Sequence, residues 1–230
     1  TTSCLDDTWI YDPAADTWVE LHPAGPVPSA RAGHTMGYDP VTKRVILFGG
    51  SPDVSGIDGS LDSTWAYDVS KNGWTELKPS GPSPAQRNGH ATAYDSARGL
   101  MILFGGSHAP RDFHDLWAYD PSANTWTQLR PSGPVPDGRN GASFDYDPLI
   151  DRLVLFGGFR GGSAGVEGAA GDTWEYDFGK NTWIEIKPTG QAPAARQFGS
   201  LVFCPTVDRA ILFGGQGLRA LLNDTWAFSP

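Results

Sequence analysis

At 230 residues the chain is long enough to bury a substantial core. Its 29 Gly, 19 Pro and nine Trp describe short apolar runs broken by turns rather than long helices. A formal charge of −9 without any cluster of Lys and Arg excludes a general phosphate-binding surface, so nucleic acid is not an expected partner.

No apolar stretch approaches the ~20 residues of a membrane span, and no membrane partner is expected. Two cysteines, Cys4 and Cys204, are too few for a disulfide framework or a four-ligand zinc site, which leaves one bridge between them open.

Read in chain order, the sequence opens inside a repeat. Residues 1–23 hold a partial unit with a strand over Asp6–Asp12, followed by the Trp18 segment. The first full unit, residues 31–79, divides into four short strands. Strand A, His34–Asp39, alternates its side chains and ends at Asp39-Pro40. Strand B, Arg44–Phe48, has an unbroken apolar core that predicts burial on both faces. Strand C, Ser63–Asp68, sets Trp65 and Tyr67 on one face by its period of two. The Lys71-Asn72-Gly73 turn leads into strand D, Trp74–Leu77, and the Pro/Gly-rich segment Pro79–Pro84 returns to the next strand A. The same order recurs over residues 87–131 and 139–188, and a last partial unit covers 196–230. No segment keeps a helical period.

The spacing is constant where it matters. Leu-Phe-Gly-Gly occurs four times, with Phe48, Phe104, Phe156 and Phe213 at intervals of 56, 52 and 57 residues. An arginine stands 17 positions before each: Arg31, Arg87, Arg139 and Arg196. Tryptophans pair nine apart at Trp9/Trp18, Trp65/Trp74, Trp117/Trp126 and Trp174/Trp183, with Trp226 alone at the end. A single four-stranded meander of this size cannot bury both faces, whereas sheets stacked around an axis can. The expected fold is therefore all-β.

The combination Arg-x-Gly-His, Tyr-Asp, Leu-Phe-Gly-Gly, Asp-Thr-Trp-x-Tyr-Asp and Asn-Thr-Trp resembles the kelch motif over essentially the whole chain. The resemblance implies a kelch-type β-propeller of four-stranded antiparallel blades, about four of them supplied by residues 1–230. Kelch rings typically hold six or seven blades. The chain is thus expected to be part of a larger ring; the alternative is four blades, with strand D of the first partial unit completing the last. An open arc would expose sheet faces and invite self-association.

All length variation falls between the double glycine and the next Trp. These B–C loops span 14 residues (Ser51–Thr64), 10 (Ser107–Leu116), 15 (Phe159–Thr173) and 10 (Gln216–Thr225). They share one face with the D–A connections. A residue repeated in every blade is best explained by folding, whereas blade-specific loop residues on a rigid frame are candidates for recognition. The ligand-binding candidates are therefore Asp53, His108, Arg111, Phe113, His114, Phe159, Arg160 and Arg219, and the expected partner is a protein or peptide. Phe113 and Phe159 have a packing alternative against the neighbouring blade. By the same reasoning, the four repeated arginines and the Asp before each Trp (Asp7, Asp115, Asp172 and Asp224, with Ser63 the exception) form structural contacts rather than an acidic-peptide reader.

No catalytic residue, metal site or cofactor is expected. Cys204 lies on the face opposite His108 and His114, which argues against copper chemistry of the galactose oxidase type. His108-x5-His114 sits in what reads as an irregular loop and has little metal-site specificity. The nucleophile elbow, phosphate loop and dinucleotide fingerprint are missing. A carbohydrate-binding or sugar-processing propeller is the alternative from another class.

Overall fold

The structure, a computed structural model, describes residues 3–53, 59–161 and 167–229. A leading hairpin pairs β1 (Thr8–Asp12) with β2 (Thr17–Leu21). Blade I follows as β3 (Thr35–Asp39), β4 (Arg44–Phe48), β5 (Thr64–Asp68) and β6 (Gly73–Leu77), hydrogen-bonded in that order. Blade II contains β7 (Ala91–Asp95) and β8 (Leu100–Phe104), then a small hairpin of β9 (Ser107–His108) and β10 (Arg111–Asp112), then β11 (Leu116–Asp120) and β12 (Thr125–Leu129). Blade III repeats the plan with β13 (Ser143–Asp147), β14 (Arg152–Phe156), the hairpin β15 (Phe159–Gly161) and β16 (Glu167–Ala169), β17 (Thr173–Asp177) and β18 (Thr182–Ile186). Blade IV has β19 (Ser200–Cys204), β20 (Arg209–Phe213) and β21 (Thr225–Phe228). Among the described residues there is no helix.

The innermost strands follow one another around a shared axis, β3 against β7, β7 against β13, and β13 against β19. Apolar side chains alternate across each strand, so each sheet presents one face to the blade before it and one to the blade after. Trp65, Tyr67 and Trp74 face the leading hairpin, where Leu21 packs against them. Ile46, Phe48 and Ala66 face blade II and meet Trp117, Tyr119 and Trp126. The β4, β8 and β14 runs are buried on both faces, as their unbroken apolar sequence requires.

The termini of the series show what stacking does. Trp117 and Trp126 are 7% and 4% exposed, whereas Trp9 and Trp18 in the leading hairpin are 49% and 66% exposed. Phe104 and Phe156 are buried, but Phe213 of blade IV is 54% exposed.

Two alternatives left open by the sequence are closed, and one expectation needs correction. The leading hairpin forms a sheet of its own, so Thr17–Leu21 does not complete blade IV, whose sheet has three strands among the described residues. Both cysteines are free thiols. The loop read as irregular in blade II contains the paired hairpin β9–β10, and the blade III loop carries the matching hairpin β15–β16, strands too short to show alternation in sequence.

Candidate functional site

The loop face rests on a clamp repeated within blades II, III and IV. Arg87 Nη1 donates to the Gly105 carbonyl at 2.9 Å, and Nη1 and Nη2 grip both Asp115 oxygens at 2.6 and 2.9 Å. Arg139 holds the Gly157 carbonyl and Asp172 in the same way, and Arg196 holds Gly214 and Asp224. Each carboxylate also accepts from the indole two residues on, at 2.7 Å for Trp117 and Trp174 and 2.6 Å for Trp226.

The second glycine of each pair then ties blades together. Gly50, Gly106 and Gly158 donate to the carbonyls of Arg87, Arg139 and Arg196 in the following blade. Only a residue without Cβ fits here: at Gly106, with φ of +91°, a Cβ would lie 2.8 Å from His90 Cβ and 2.9 Å from the Asn88 carbonyl oxygen.

Burial alone would raise the carboxyls of Asp115 and Asp172. The hydrogen bonds and charge of Arg87 and Arg139 outweigh it and hold both below the ordinary range. The guanidinium groups are fully buried in these pairs. They are consumed by the frame and offer nothing to an acidic ligand.

Blade I departs from the pattern. Arg31 meets Ser63 Oγ at 3.0 Å instead of a carboxylate, and the Trp65 Nε1 has no partner. Burial lowers the pKa of Arg31, opposed by the charge of Glu76.

Above this frame the unequal loops bring several of the candidate residues together. The hairpins of blades II and III touch through Asp112, whose Oδ2 accepts from the Gly161 amide at 2.5 Å. Arg111 and His114 flank this junction and are exposed. Arg160 reaches Asp137 of the D–A connection at 3.2 Å. His108 Nε2 lies 2.9 Å from Gln86 Nε2, so that imidazole is anchored to the neighbouring connection.

Phe113 is half-buried with its ring 4.0 Å beneath the Arg87 guanidinium, a cation–π contact that commits it to the frame. Phe159 is half-buried and bridges by its backbone to Asn140. Asp53 and Arg219 stand apart, in the loops of blades I and IV. Asp53 is half-buried, with its amide on Ser51 Oγ, and Arg219 is exposed. Among the described residues, three or more His, Cys, Asp or Glu side chains nowhere converge as metal ligands would.

One residue on this face escaped the candidate set. Gly33, Gly89 and Gly141 take positive φ at the inner start of their blades, and a chain of amides links each blade to the next around the axis: Gly89 N to Gly33 O, Gly141 N to Gly89 O, Phe198 N to Gly141 O, at 2.7–2.8 Å. The last member is phenylalanine. Phe198 sits at φ of 55° and is 61% exposed, with its ring lying over Gly141. The left-handed region is a marked outlier for a bulky side chain and costs roughly 1–3 kcal/mol. The signal was present in the sequence: Arg-Gln-Phe replaces the Arg-x-Gly of the other three units.

Stacked antiparallel blades with constant sheets and variable loops define a β-propeller of the repeat class. Residues 1–147 match the family described as the KLHDC2/KLHL20/DRC7 Kelch-repeats domain, so the chain belongs to the kelch-repeat family. It is similar to the flagellar outer arm dynein alpha chain of Chlamydomonas reinhardtii, at 27% identity over 90% of this chain and 5% of that protein. It is also similar to multiple epidermal growth factor-like domains protein 8 of Mus musculus, at 30% over 80% of this chain and 6% of that protein. Kelch domain-containing protein 3 of Rattus norvegicus matches at 24% over 91% of this chain and 69% of its own length. The chain thus spans only a small part of the first two. Kelch propellers generally serve as protein-interaction scaffolds.

Proposed function

We propose that the face built by the B–C loops and D–A connections is a recognition surface for a protein or peptide segment. The observation that carries this reading is the division of labour on that face. Three of the four repeated arginines beneath it are neutralised by carboxylates of the frame and Arg31 is held by Ser63 and the Gly49 carbonyl, while Arg111, His114 and Phe198, none of which recurs from blade to blade, stand exposed above it. The strained, exposed ring of Phe198 supports it further, since backbone strain of this kind persists where the surroundings over-determine it and clusters at ligand-contacting positions.

Asp112 couples the two neighbouring hairpins, so Arg111, His114, Phe159 and Arg160 are presented as one unit, with Phe198 closer to the axis. Asp53, His108 and Arg219 extend the surface toward blade I, the Gln86 connection and blade IV. Phe113 supports the unit from below. An extended segment crossing this face meets cations at the rim and an aromatic ring near the centre, the usual make-up of an interaction hot spot.

A displayed library of random peptides, selected on the protein, tests the proposal. Selected peptides are expected to lose at least about tenfold in affinity to Phe198→Ala and to Arg111→Ala or His114→Ala, at unchanged melting temperature. Peptides that tolerate all three substitutions would place recognition elsewhere. Selective capture on a glycan array, abolished by Phe159→Ala, would favour a carbohydrate ligand instead.

A further inference from the structure

Blade I keeps the donors of the repeated clamp but not its acceptor. In blades II, III and IV one carboxylate oxygen, Oδ2, takes two hydrogen bonds at once. The arginine Nη2 reaches it at 2.9, 2.8 and 2.8 Å, and the indole Nε1 at 2.7, 2.7 and 2.6 Å. The other oxygen, Oδ1, takes Nη1 at 2.6, 2.7 and 2.6 Å. Blade I has Arg31 and Trp65 in the same places, with Ser63 where the aspartate stands.

Ser63 replaces only half of the carboxylate. Its Oγ accepts from Arg31 Nη1 at 3.0 Å, which is the part of Oδ1. Among the described residues no oxygen plays the part of Oδ2: Arg31 Nη2 turns to Ser29 Oγ at 3.2 Å, and Trp65 Nε1 has no partner. Trp65 is 8% exposed and Arg31 7%, so both donors are withdrawn from water. The remaining bonds of Arg31 go to the Ser29 and Gly49 carbonyls at 2.9 and 3.0 Å. Every described partner of this guanidinium is a neutral oxygen, whereas Arg87, Arg139 and Arg196 each face a carboxylate. Glu76 acts on it only from a distance and pairs with Lys78. Burying a charge without a counter-charge is costly, and burying an indole N–H without an acceptor adds to that cost.

The carboxylate of each complete clamp comes from the same blade as its arginine, 28, 33 and 28 residues further on. Ser63 follows Arg31 by 32. The difference therefore belongs to one residue inside the chain and not to any neighbouring unit.

We infer that blade I binds a chloride ion at the point matching Oδ2, held by Arg31 Nη2, Trp65 Nε1 and the Ser63 hydroxyl. Nη2 has two hydrogens, so it serves the ion and Ser29 together. Ser63 Oγ accepts from Nη1 and keeps its own hydrogen for the ion. Water would satisfy the indole but leave the guanidinium charge unmatched. A carboxylate or sulfate would bring a second oxygen against Ser63 Oγ, which already fills the Oδ1 place. A one-atom anion meets both demands. The formal charge of −9 opposes anions at long range, but salt screens that field within about 8 Å, whereas the donors act in contact. The ion enters from the loop face, where Asp115 and Asp172 are 20% exposed and Ser63 is half-buried.

Two measurements on the 230-residue protein test this. In crystals soaked in sodium bromide, an anomalous difference peak is expected between Arg31 Nη2, Trp65 Nε1 and Ser63 Oγ, and none there in Ser63→Asp. In thermal melts at constant ionic strength, gluconate is replaced stepwise by chloride. Above the dissociation constant, Tm should rise by roughly 3–6 °C per tenfold increase in chloride, from ~1.4 kcal/mol per tenfold and ~2–4 °C per kcal/mol. Ser63→Asp supplies the oxygen itself and should lose this response, while general salt effects remain in both proteins. Trp65→Phe keeps a ring but removes the N–H; it should need about tenfold more chloride, and it serves if Ser63→Asp does not fold. Equal chloride responses in the wild type and both variants, bromide peaks only at other places, or a formate response as large as that of chloride would overturn the inference.

Discussion

Ser63→Asp should make the protein more stable, because blade I lacks the carboxylate that completes the clamp in blades II, III and IV. Two groups gain a partner. Trp65 Nε1, buried and without an acceptor, would meet the oxygen that Trp117 and Trp174 meet at 2.7 Å. Arg31, now on a neutral hydroxyl, would gain the two-oxygen grip seen for Arg87 and Arg139.

Leaving a buried donor unsatisfied costs about 1–3 kcal/mol, and a hydrogen bond to a charged group contributes about 1.5–3 kcal/mol. Removing the new carboxylate from water offsets part of this at several kcal/mol for a fully buried ion, though Asp115 and Asp172 in the same position remain 20% exposed. A net gain of about 1–3 kcal/mol follows, or about 2–4 °C in Tm per kcal/mol for a chain of this size. Urea melts of the wild type, Ser63→Asp and the reciprocal Asp172→Ser measure both directions. Asp172→Ser should cost about 3–5 kcal/mol, because it strips the partner from a buried guanidinium. If Ser63→Asp is neutral or destabilising while Asp172→Ser costs under ~1 kcal/mol, the clamp does not stabilise its blade.

Position in the stack should decide the weight of otherwise equivalent tryptophans: Trp126→Ala is expected to cost about 3–5 kcal/mol and Trp18→Ala under ~1 kcal/mol in the same urea melts. His90 should make stability depend on pH. Burial, with the charge of Arg87, lowers its pKa from 6.5 to about 3, so below pH 6.5 the unfolded chain takes up a proton that the folded one refuses. The His90 contribution is fully present above pH 6.5 and should fall by about 1.4 kcal/mol per pH unit below it, roughly 2 kcal/mol by pH 5, and His90→Gln should remove that part of the slope, leaving the share of His34, whose pKa burial and the charge of Arg31 also lower. The depressed carboxyls of Asp115 and Asp172 act lower, since their contribution is present above the ordinary 3.8 and is lost as pH falls through their folded values. Asp112→Ala should speed exchange of the Gly161 amide, which donates to that carboxylate.

The frame was legible because it is repeated. Constant intervals between Arg, the double glycine and Trp can arise only from units that pack on one another, and the recurrence of Arg31, Arg87, Arg139 and Arg196 marked them as structural before any contact was known. What stayed hidden depends on single departures or on distance in space. Phe198 was visible as a broken Arg-x-Gly, but its left-handed backbone and exposure were not. The hairpins in the blade II and III loops are two- and three-residue pairings with no periodic signal. Ser63 was visible as a missing Asp, but the unpartnered indole nitrogen of Trp65 was not. Phe113 illustrates the limit of composition: an aromatic in a variable loop reads as a ligand contact until the guanidinium of Arg87 is found against its face.

Hydrogen exchange of the protein with and without a selected peptide partner tests the recognition surface most directly. Protection should concentrate in residues 107–116, 159–161 and 197–198, where the unequal loops and the strained phenylalanine meet. Protection confined to the opposite turns at 70–73, 122–124 and 179–181, with no change in the loops, would contradict it.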